Sequence, residues 1–290
     1  MTTRSLPRRL RPLVRQLLLA GLLLIAPVAR ATAQPGDSFP RHITDAAGLG
    51  VTIPVRPPVV AVVGTDLAVT SVIAAAARRA IDPVHDDPGM VDWDAVGLLV
   101  IPTPYAAAYP AWITAAQSAS VPVTQTAPVT SLADWHAAIR LIGYATGRDD
   151  RAAAVLRRSA WQAAAARLIA RCAKNRDAVR VLILTPEGYT FGRGTLITDL
   201  IEAAGGINAA AAYEDFRQID DSAIRDLAPD VILLSPAWTR ADRAAFVSNP
   251  AYADIPAVQA GRVIRLSFSP TLPPDPGAAL ITLALRLHVM

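Results

Sequence analysis

Aromatic residues follow a predicted strand at a position where this chain could bind a ligand. Tyr105, Tyr109 and Trp112 come after the apolar run Gly97–Pro102, which has the composition of a buried strand. Open α/β sheets bind ligands at the carboxyl ends of their strands, so these side chains are candidates for a binding site. The tyrosine rings could stack on a planar ligand, or their phenol oxygens could ligate iron. The alternative is packing within the fold, and we expect Trp112 to face the core.

A second candidate loop follows the apolar run Val179–Leu184 and carries Tyr189, Phe191 and Arg193. The guanidinium of Arg193 suits carboxylates, because its planar fork of donors matches their geometry. Three glycines would let the backbone of this loop approach a ligand closely: Gly188, Gly192 and Gly194. The alternative is a turn that only caps the next helix.

A third candidate, Trp238, follows the predicted strand Asp230–Ser235 in the same way. Its ring could also stack on a planar ligand.

The signals for a metal site are weaker. No two of the four histidines share a metal-binding spacing such as i, i+4; they are His42, His85, His136 and His288. His85 lies in an acidic loop with Asp82, Asp86 and Asp87, which could hold a divalent cation, but a solvated loop explains the same residues. We predict no metal site and no cofactor.

Motifs of the common enzymes are missing from the sequence. It contains no Gly-x-Ser-x-Gly elbow, no Walker loop and no Gly-x-Gly-x-x-Gly after a strand. A hydrolase or a metal-dependent enzyme would need a convergent nucleophile and base, or metal ligands, that the spacing does not reveal. We therefore expect a protein that is not an enzyme.

One long helix is predicted to position these loops. Asp149–Lys174 contains neither Gly nor Pro, and it carries acids at its start and bases at its end. About 25 residues at ~1.5 Å each span roughly 38 Å, the width of a small domain. On either side, short apolar strands alternate with helices, which predicts parallel sheets covered on both faces. We predict an α/β fold of two Rossmann-like lobes joined by this helix; a surface helix of a single domain is the alternative.

Local patterns give further expectations. Trp161, Ala165, Leu168 and Cys172 recur at helical spacing on the long helix, and we expect Cys172 to be buried. A helix is also predicted from about Asp66 to Arg79.

The N-terminus has the pattern of a secretory signal peptide. A basic region is followed by an apolar run, Leu17–Val28, and by the small residues Ala31-Thr32-Ala33. Cleavage is predicted after Ala33, with an uncleaved anchor as the alternative. No cysteine lies at the cleavage site, so no lipid anchor is expected there. Without the six arginines before Ala33, 22 basic residues face 24 acidic ones, which does not favour nucleic acid as a partner.

Three stretches of the second half resemble a known family. They are YTFGRGTLITDLIEAAGGINAAAAY from Tyr189, DDSAIRDLAPDVILLSPAW from Asp220 and NPAYADIPAVQAGRVIRLS from Asn249. Their order and spacing are similar to the C-terminal lobe of the periplasmic substrate-binding proteins of ABC transporters that take up siderophores, haem and cobalamin. Asp45–Val63 resembles the N-terminal opening of that family, whereas Thr65–Pro122 matches it weakly.

The resemblance implies an organisation and partners. It implies two Rossmann-like lobes bridged by one helix, and we predict a signal peptide at 1–33, an N-terminal lobe at 34–130, an inter-lobe helical segment at 131–177 and a C-terminal lobe at 178–290. The expected partners are an ABC permease and a metal-chelate or tetrapyrrole ligand, with the protein acting as a periplasmic monomer. In this family a surface Glu on each lobe commonly docks the permease. Glu202 matches the second-lobe position, whereas the helix expected in the first lobe, Asp66–Ala77, contains no Glu.

The function predicted from these observations is delivery of an iron chelate, haem or corrinoid to an ABC importer. A secreted sensor or adaptor that kept the fold without docking a transporter is the first alternative. A secreted α/β hydrolase is the second.

Overall fold

A computed structural model of the chain describes residues 38–64, 66–173, 178–271 and 273–289. The predicted signal peptide lies outside these residues. Twelve strands are described: β1 (Arg41–Thr44), β2 (Gly50–Ile53), β3 (Val60–Val63), β4 (Arg78–Ile81), β5 (Leu98–Pro102), β6 (Val123–Thr126), β7 (Val179–Leu184), β8 (Tyr189–Phe191), β9 (Gly206–Asn208), β10 (Phe216–Gln218), β11 (Val231–Leu234) and β12 (Val263–Arg265). Ten α-helices are described: α1 (Leu67–Val72), α2 (Thr103–Ala108), α3 (Pro110–Ser118), α4 (Leu132–Ala145), α5 (Asp149–Cys172), α6 (Leu196–Ala203), α7 (Asp221–Asp226), α8 (Arg240–Ser248), α9 (Pro256–Gln259) and α10 (Pro276–His288).

The first lobe is built on a parallel sheet with the strand order β4-β3-β5-β6. Every residue of β3 is buried, as expected for a strand covered on both faces. Strands β1 and β2 precede this sheet and pair antiparallel, with Arg41 opposite Ile53.

The helix predicted over Asp66–Arg79 is wrong in its second half. Helix α1 ends at Val72, and β4 pairs in parallel with β3, with Arg78 beside Val60. The Ala-rich stretch Ala75–Ala77 keeps only a 3₁₀ turn, and the chain then joins the sheet edge at Arg78.

The second lobe repeats the scheme with the parallel order β12-β11-β7-β9. Its main strands were predicted, since β7 and β11 are apolar runs buried at every position from Val181 and Val231 onward. The three-residue strands β8, β9 and β10 were not predicted. Strands β8 and β10 form a separate antiparallel pair beside the main sheet.

Helix α5 joins the two lobes, which confirms the predicted α/β architecture. It packs against α1 and α4 on one side and against α6 and α10 on the other. Asp149 and Asp150 lie in its first turn and Arg171 in its last, where each sign of charge complements the helix dipole. Two polar contacts add to this packing: the backbone N–H of Leu132, at the start of α4, donates to Asp199 of α6 at 2.8 Å, and Arg158 of α5 pairs with Asp275, just before α10, at 3.0 Å.

The predicted buried face of α5 is wrong in part. Its buried residues are Ala152, Val155, Ser159, Gln162, Ala163, Ala165, Ala166 and Ile169. Ala165 is among them, whereas Leu168 is 37% exposed and Cys172 is exposed. The reason is that α5 is covered from two sides, so small residues that allow close helix packing are buried instead of the largest apolar ones. At one such crossing, a Cβ placed on Gly143 would lie 2.4 Å from the Cβ of Ala152.

Across residues 38–64, 66–173, 178–271 and 273–289, no helix combines the length and the apolar character needed to cross a lipid bilayer.

Candidate functional site

A pair of short strands brings three aromatic rings together on the second lobe. Strands β8 and β10 place Phe191 opposite Phe216 and Tyr189 opposite Gln218. Because Tyr189 and Phe191 are two residues apart, both lie on the same face of β8. The Tyr189 ring stacks on Phe216 at 4.6 Å with 4° between the planes, and the Phe191 ring lies 4.9 Å from Phe216. Phe191 is buried, while Phe216 is 49% exposed and offers its ring to solvent.

A glycine allows the connection after β8 to form. The backbone N–H of Gly192 donates to Asp215 O at 2.6 Å, and that of Arg193 donates to Tyr213 O at 3.0 Å. A Cβ on Gly192 would lie only 2.3 Å from Tyr213 O. The close approach that Gly192 permits is therefore to the segment before β10, whereas the sequence suggested approach to a ligand.

Buried polar contacts hold this loop against helix α6. The side-chain amide of Asn208, which is 3% exposed, donates to Phe191 O at 2.7 Å and to Thr198 Oγ1 at 2.8 Å. The Thr198 hydroxyl donates in turn to Gly192 O at 2.6 Å. Since the Asn208 and Thr198 side chains have these defined partners, the aromatic strands are presented on a rigid support.

Arg193 already has a carboxylate partner. Its Nη2 donates to Glu214 Oε1 at 2.7 Å, and both side chains are largely exposed. The sequence singled out Arg193 but missed Glu214, which lies 21 positions further along the chain. A ligand carboxylate would have to compete with Glu214 for this guanidinium.

A cavity of about 310 Å³ lies beside these rings, and we call it the aromatic cavity. Its lining comes from both lobes: Val129 lies between β6 and α4, and Phe191 and Phe216 belong to β8 and β10. The start of α6 and the segment after β12 complete it. The full lining is Val129, Phe191, Gly194, Thr195, Leu196, Ile197, Phe216, Pro270 and Thr271.

A second cavity of about 300 Å³ adjoins the first, since Pro270 and Thr271 line both. Its other walls are the segments that follow β7, β11 and β12, all at the carboxyl edge of the second sheet. Four hydroxyl side chains line it, so we call it the hydroxyl cavity; they are Thr185, Ser235, Ser269 and Thr271.

The first-lobe tyrosines stay together, outside the lining of the aromatic cavity. Tyr105 lies in α2 and is 36% exposed, and its ring covers Gly64, where a Cβ would lie 2.8 Å from Tyr105 Cε2. The Tyr109 ring lies 6.2 Å from that of Tyr105 and packs against the first-lobe core. Trp112 is 2% exposed in that core, as the sequence predicted.

Trp238 packs against the core of the second lobe. Its indole N–H donates to Leu184 O at 3.1 Å, and its ring meets Phe246 edge-on at 5.6 Å. It lines neither cavity, although its neighbour Ala237 lines the hydroxyl cavity.

The histidines have other hydrogen-bond partners. His136 faces Ser159 at 2.8 Å, His42 faces Thr52 at 3.0 Å and His288 faces Ala204 O at 2.8 Å. His85 pairs with Asp82 at 2.8 Å, and this hydrogen bond lowers the pKa of the Asp82 carboxyl. Within the part of the chain that the structure describes, no three His, Cys, Asp or Glu residues form a group that could hold a metal ion.

A family model described as periplasmic binding protein matches residues 111–270, which is more than half of the chain. The chain belongs to the periplasmic binding protein family. This confirms the resemblance seen in the sequence, and the family is one of solute-binding proteins. No curated protein matches the chain in sequence.

Solved structures with the same fold cover most of the chain. The periplasmic haem-binding protein RhuT from Roseiflexus is 24% identical, with a TM-score of 0.62 over 79% of this chain and 97% of that one. The haem-binding protein HmuT is 19% identical, with a TM-score of 0.66 over 92% and 94%. The molybdate-binding protein MolA from Haemophilus influenzae is 16% identical, with a TM-score of 0.67 over 85% and 91%. These likenesses extend the two-lobe fold to both halves of the chain.

Proposed function

We propose that this protein binds an iron chelate, haem or a corrinoid in the cleft between its lobes and delivers it to an ABC importer. The observation that carries the proposal is the half-exposed Phe216 ring, backed by Tyr189 and set in the wall of the aromatic cavity. An exposed phenylalanine held on a rigid support favours a planar or apolar ligand, because burying the ring on binding gains free energy. The haem-binding RhuT and HmuT share the fold and support this ligand class.

Tyrosine oxygens are the groups we propose to meet the metal of such a ligand. The phenol oxygens of Tyr105, Tyr109 and Tyr189 form no hydrogen bond with another described residue. Phenolate oxygen is an established ligand of haem iron. Arg193 and Trp238 complete the proposed set of ligand-binding residues. Arg193 would pair with ligand carboxylates, and Trp238 would support the segment that follows β11.

Binding without catalysis fits the arrangement of the potential nucleophiles. Ser159 lies within hydrogen-bond distance of His136, which is the pairing that a hydrolase needs. However, Ser159 is 1% exposed and sits between α4 and α5, away from both cavities. A substrate cannot reach its hydroxyl there, which counts against the hydrolase alternative.

Docking to the permease is proposed through Glu202, which is exposed near the end of α6. One observation favours the sensor alternative: α1, the corresponding first-lobe helix, has only six residues and no acidic side chain. A permease would then be held through the second lobe alone, and surface ion pairs are individually weak.

We also propose that the protein acts as a periplasmic monomer, exported by a signal peptide that is removed near Ala33. The family is periplasmic, which supports export. The mass of protein isolated from the periplasm should correspond to a chain that begins near Gln34. Recovery of all 290 residues from membranes would contradict cleavage.

The function is tested by ligand titration of the mature protein. The absorption spectrum and mass of any co-purifying molecule are recorded first, and the protein is then titrated with haem, a ferric siderophore and a cobalamin. We expect one of these probes to bind and to quench tryptophan fluorescence. If none binds, the proposed function is wrong.

A further inference from the structure

The hydroxyl cavity contains a buried hydroxyl with no partner. Ser235 follows β11 and is 5% exposed, and its Oγ forms no hydrogen bond with any described residue. Its backbone is fully engaged, since its N–H donates to Leu184 O and its carbonyl accepts from Trp238. A buried polar atom without a partner is destabilising, so a lining atom of this kind indicates a place where a bound molecule supplies the missing hydrogen bond.

The remaining hydroxyls face the same space. Thr185 Oγ1 accepts from the backbone N–H of Tyr189 at 3.2 Å, which leaves its own hydrogen free to donate. Ser269 and Thr271 are exposed and line the cavity from the segment after β12. Hydroxyls both donate and accept, so this cavity can satisfy polar groups of either kind.

The lining of this cavity offers a carboxylate and no cation among the described residues. The carboxylate is that of Glu187. The nearby Arg265 donates from two nitrogens to Pro236 O, at 3.1 and 2.6 Å. Arg193 lines neither cavity and is held by Glu214.

We propose that the hydroxyl cavity is a specificity subsite for uncharged hydrogen-bonding groups, such as amides or hydroxyls, on the edge of the ligand. A ligand would place its apolar or planar part in the aromatic cavity and this polar edge against Ser235. The inference rests on the proposed function and narrows its ligand class. It favours chelates whose edge carries neutral amides over a haem, whose edge carries two carboxylates.

The preference follows from the cost of desolvating charge. A carboxylate placed in this cavity would lose water, meet the like charge of Glu187 and find no basic side chain there. An amide would lose less hydration, and its hydrogen bonds could be replaced by those of Ser235 and Thr185. Glu187 therefore disfavours binding of acidic ligands, whereas Ser235 stabilises bound neutral polar ones.

The test uses three named probes and two variants of the mature protein. The probes are cyanocobalamin, which carries neutral amides, a neutral ferric trihydroxamate, and haem. We expect at least one neutral probe to bind about tenfold or more tightly than haem. Ser235→Ala should weaken that neutral probe about threefold to tenfold, the usual range for one lost hydrogen bond. Glu187→Gln should strengthen haem binding about threefold and leave the neutral probe within about twofold.

Thr124→Val is the matched control for Ser235→Ala. Thr124 is also a buried residue whose hydroxyl has no described partner, but it lies on β6 of the first lobe and lines neither cavity. It should leave all affinities unchanged, and circular dichroism confirms that each variant is folded. Glu187 is exposed, so its replacement tests the proposal even where Ser235→Ala unfolds the protein.

The outcomes distinguish a failure of this inference from a failure of the proposed function. If haem binds more tightly than both neutral probes and Glu187→Gln leaves its affinity unchanged, the subsite inference is wrong and the proposed function stands. If none of the three probes binds the wild-type protein, both are overturned.

Discussion

The Tyr189 and Phe216 rings lie 4.6 Å apart and within 4° of parallel, although 27 positions separate them in the chain. The antiparallel pairing of β8 with β10 creates this stack, because Tyr189 is the diagonal neighbour of Phe216 across the two strands. One ring supports the other, so the outer face of Phe216 is free to meet a ligand in the aromatic cavity.

Phe216→Ala is expected to lower the affinity for the bound chelate about tenfold or more, since one aromatic contact is lost together with its buried area. Tyr189→Ala should also lower this affinity, because it removes both the ring that supports Phe216 and the phenol oxygen proposed to meet the metal. Both affinities are measured by fluorescence titration. Met90→Ala, at a side chain 80% exposed in another loop, is the control. Unchanged affinity in both aromatic variants would place the site elsewhere.

Glu214→Gln is expected to release Arg193 and to strengthen binding of a carboxylate-bearing ligand such as haem about threefold. Arg193→Ala should weaken haem binding instead. Stability should change little in either variant, because exposed ion pairs contribute only about 0–1 kcal/mol. Calorimetric titration with haem distinguishes the two directions. Equal weakening by both variants would mean that the intact ion pair holds the loop and that Arg193 does not meet the ligand.

Gly192→Ala is expected to destabilise the loop that carries Phe191. The new Cβ would meet Tyr213 O at 2.3 Å, so the segment before β10 must move, at a cost of about 1–3 kcal/mol. The melting temperature and the ligand affinity should both fall. Gly50→Ala is the matched control, since a Cβ there meets no atom within 4 Å. Equal stability of the two variants would show that the β8–β10 connection adapts freely.

The stability of the fold should fall as the pH drops below neutrality, in part because of His136. Burial, and then the charge of Arg140, lower the pKa of His136 from its ordinary value of 6.5. Below pH 6.5 the unfolded chain therefore binds a proton that the folded protein binds only at a lower pH. This difference lowers the free energy of unfolding, and the decrease is complete below the folded pKa. His136→Gln should make the free energy of unfolding less dependent on pH between about 7.5 and 5 in urea titrations. His42→Gln, at an exposed histidine of β1, is the control, and an equal slope in the two variants would contradict the assignment.

Glu202→Ala is expected to leave ligand affinity unchanged and to lower uptake in cells that carry the cognate permease. The reason is that the substitution removes the surface carboxylate of α6, so the basic group proposed to meet it on the permease would be left unpaired. Asp226→Ala, at an exposed acid of α7, controls for the loss of one negative charge. Uptake that is untouched by Glu202→Ala, with ligand still bound, would favour the sensor alternative.

The sequence determined the architecture because the signals for it are local. Continuous apolar runs predicted the buried strands β5, β7 and β11, and a stretch without Gly or Pro predicted α5. Three conspicuous stretches of the second half pointed to the family that the comparison with known proteins confirmed. Each of these features is specified by neighbouring residues, so it can be read without knowing what packs against it.

Tertiary structure decided the site, because its parts come from distant positions. Phe216 and Glu214 gave no local signal, and only the pairing of β8 with β10 placed them beside Tyr189 and Arg193. Strand β4 ended the predicted first-lobe helix early, because Arg78–Ile81 pairs with the edge of β3. Cys172, the last residue of α5, is exposed, because burial on a helix depends on which elements pack against each of its faces. Ser235 became a candidate only when the ends of three strands met at one edge of the sheet and left its hydroxyl buried without a partner.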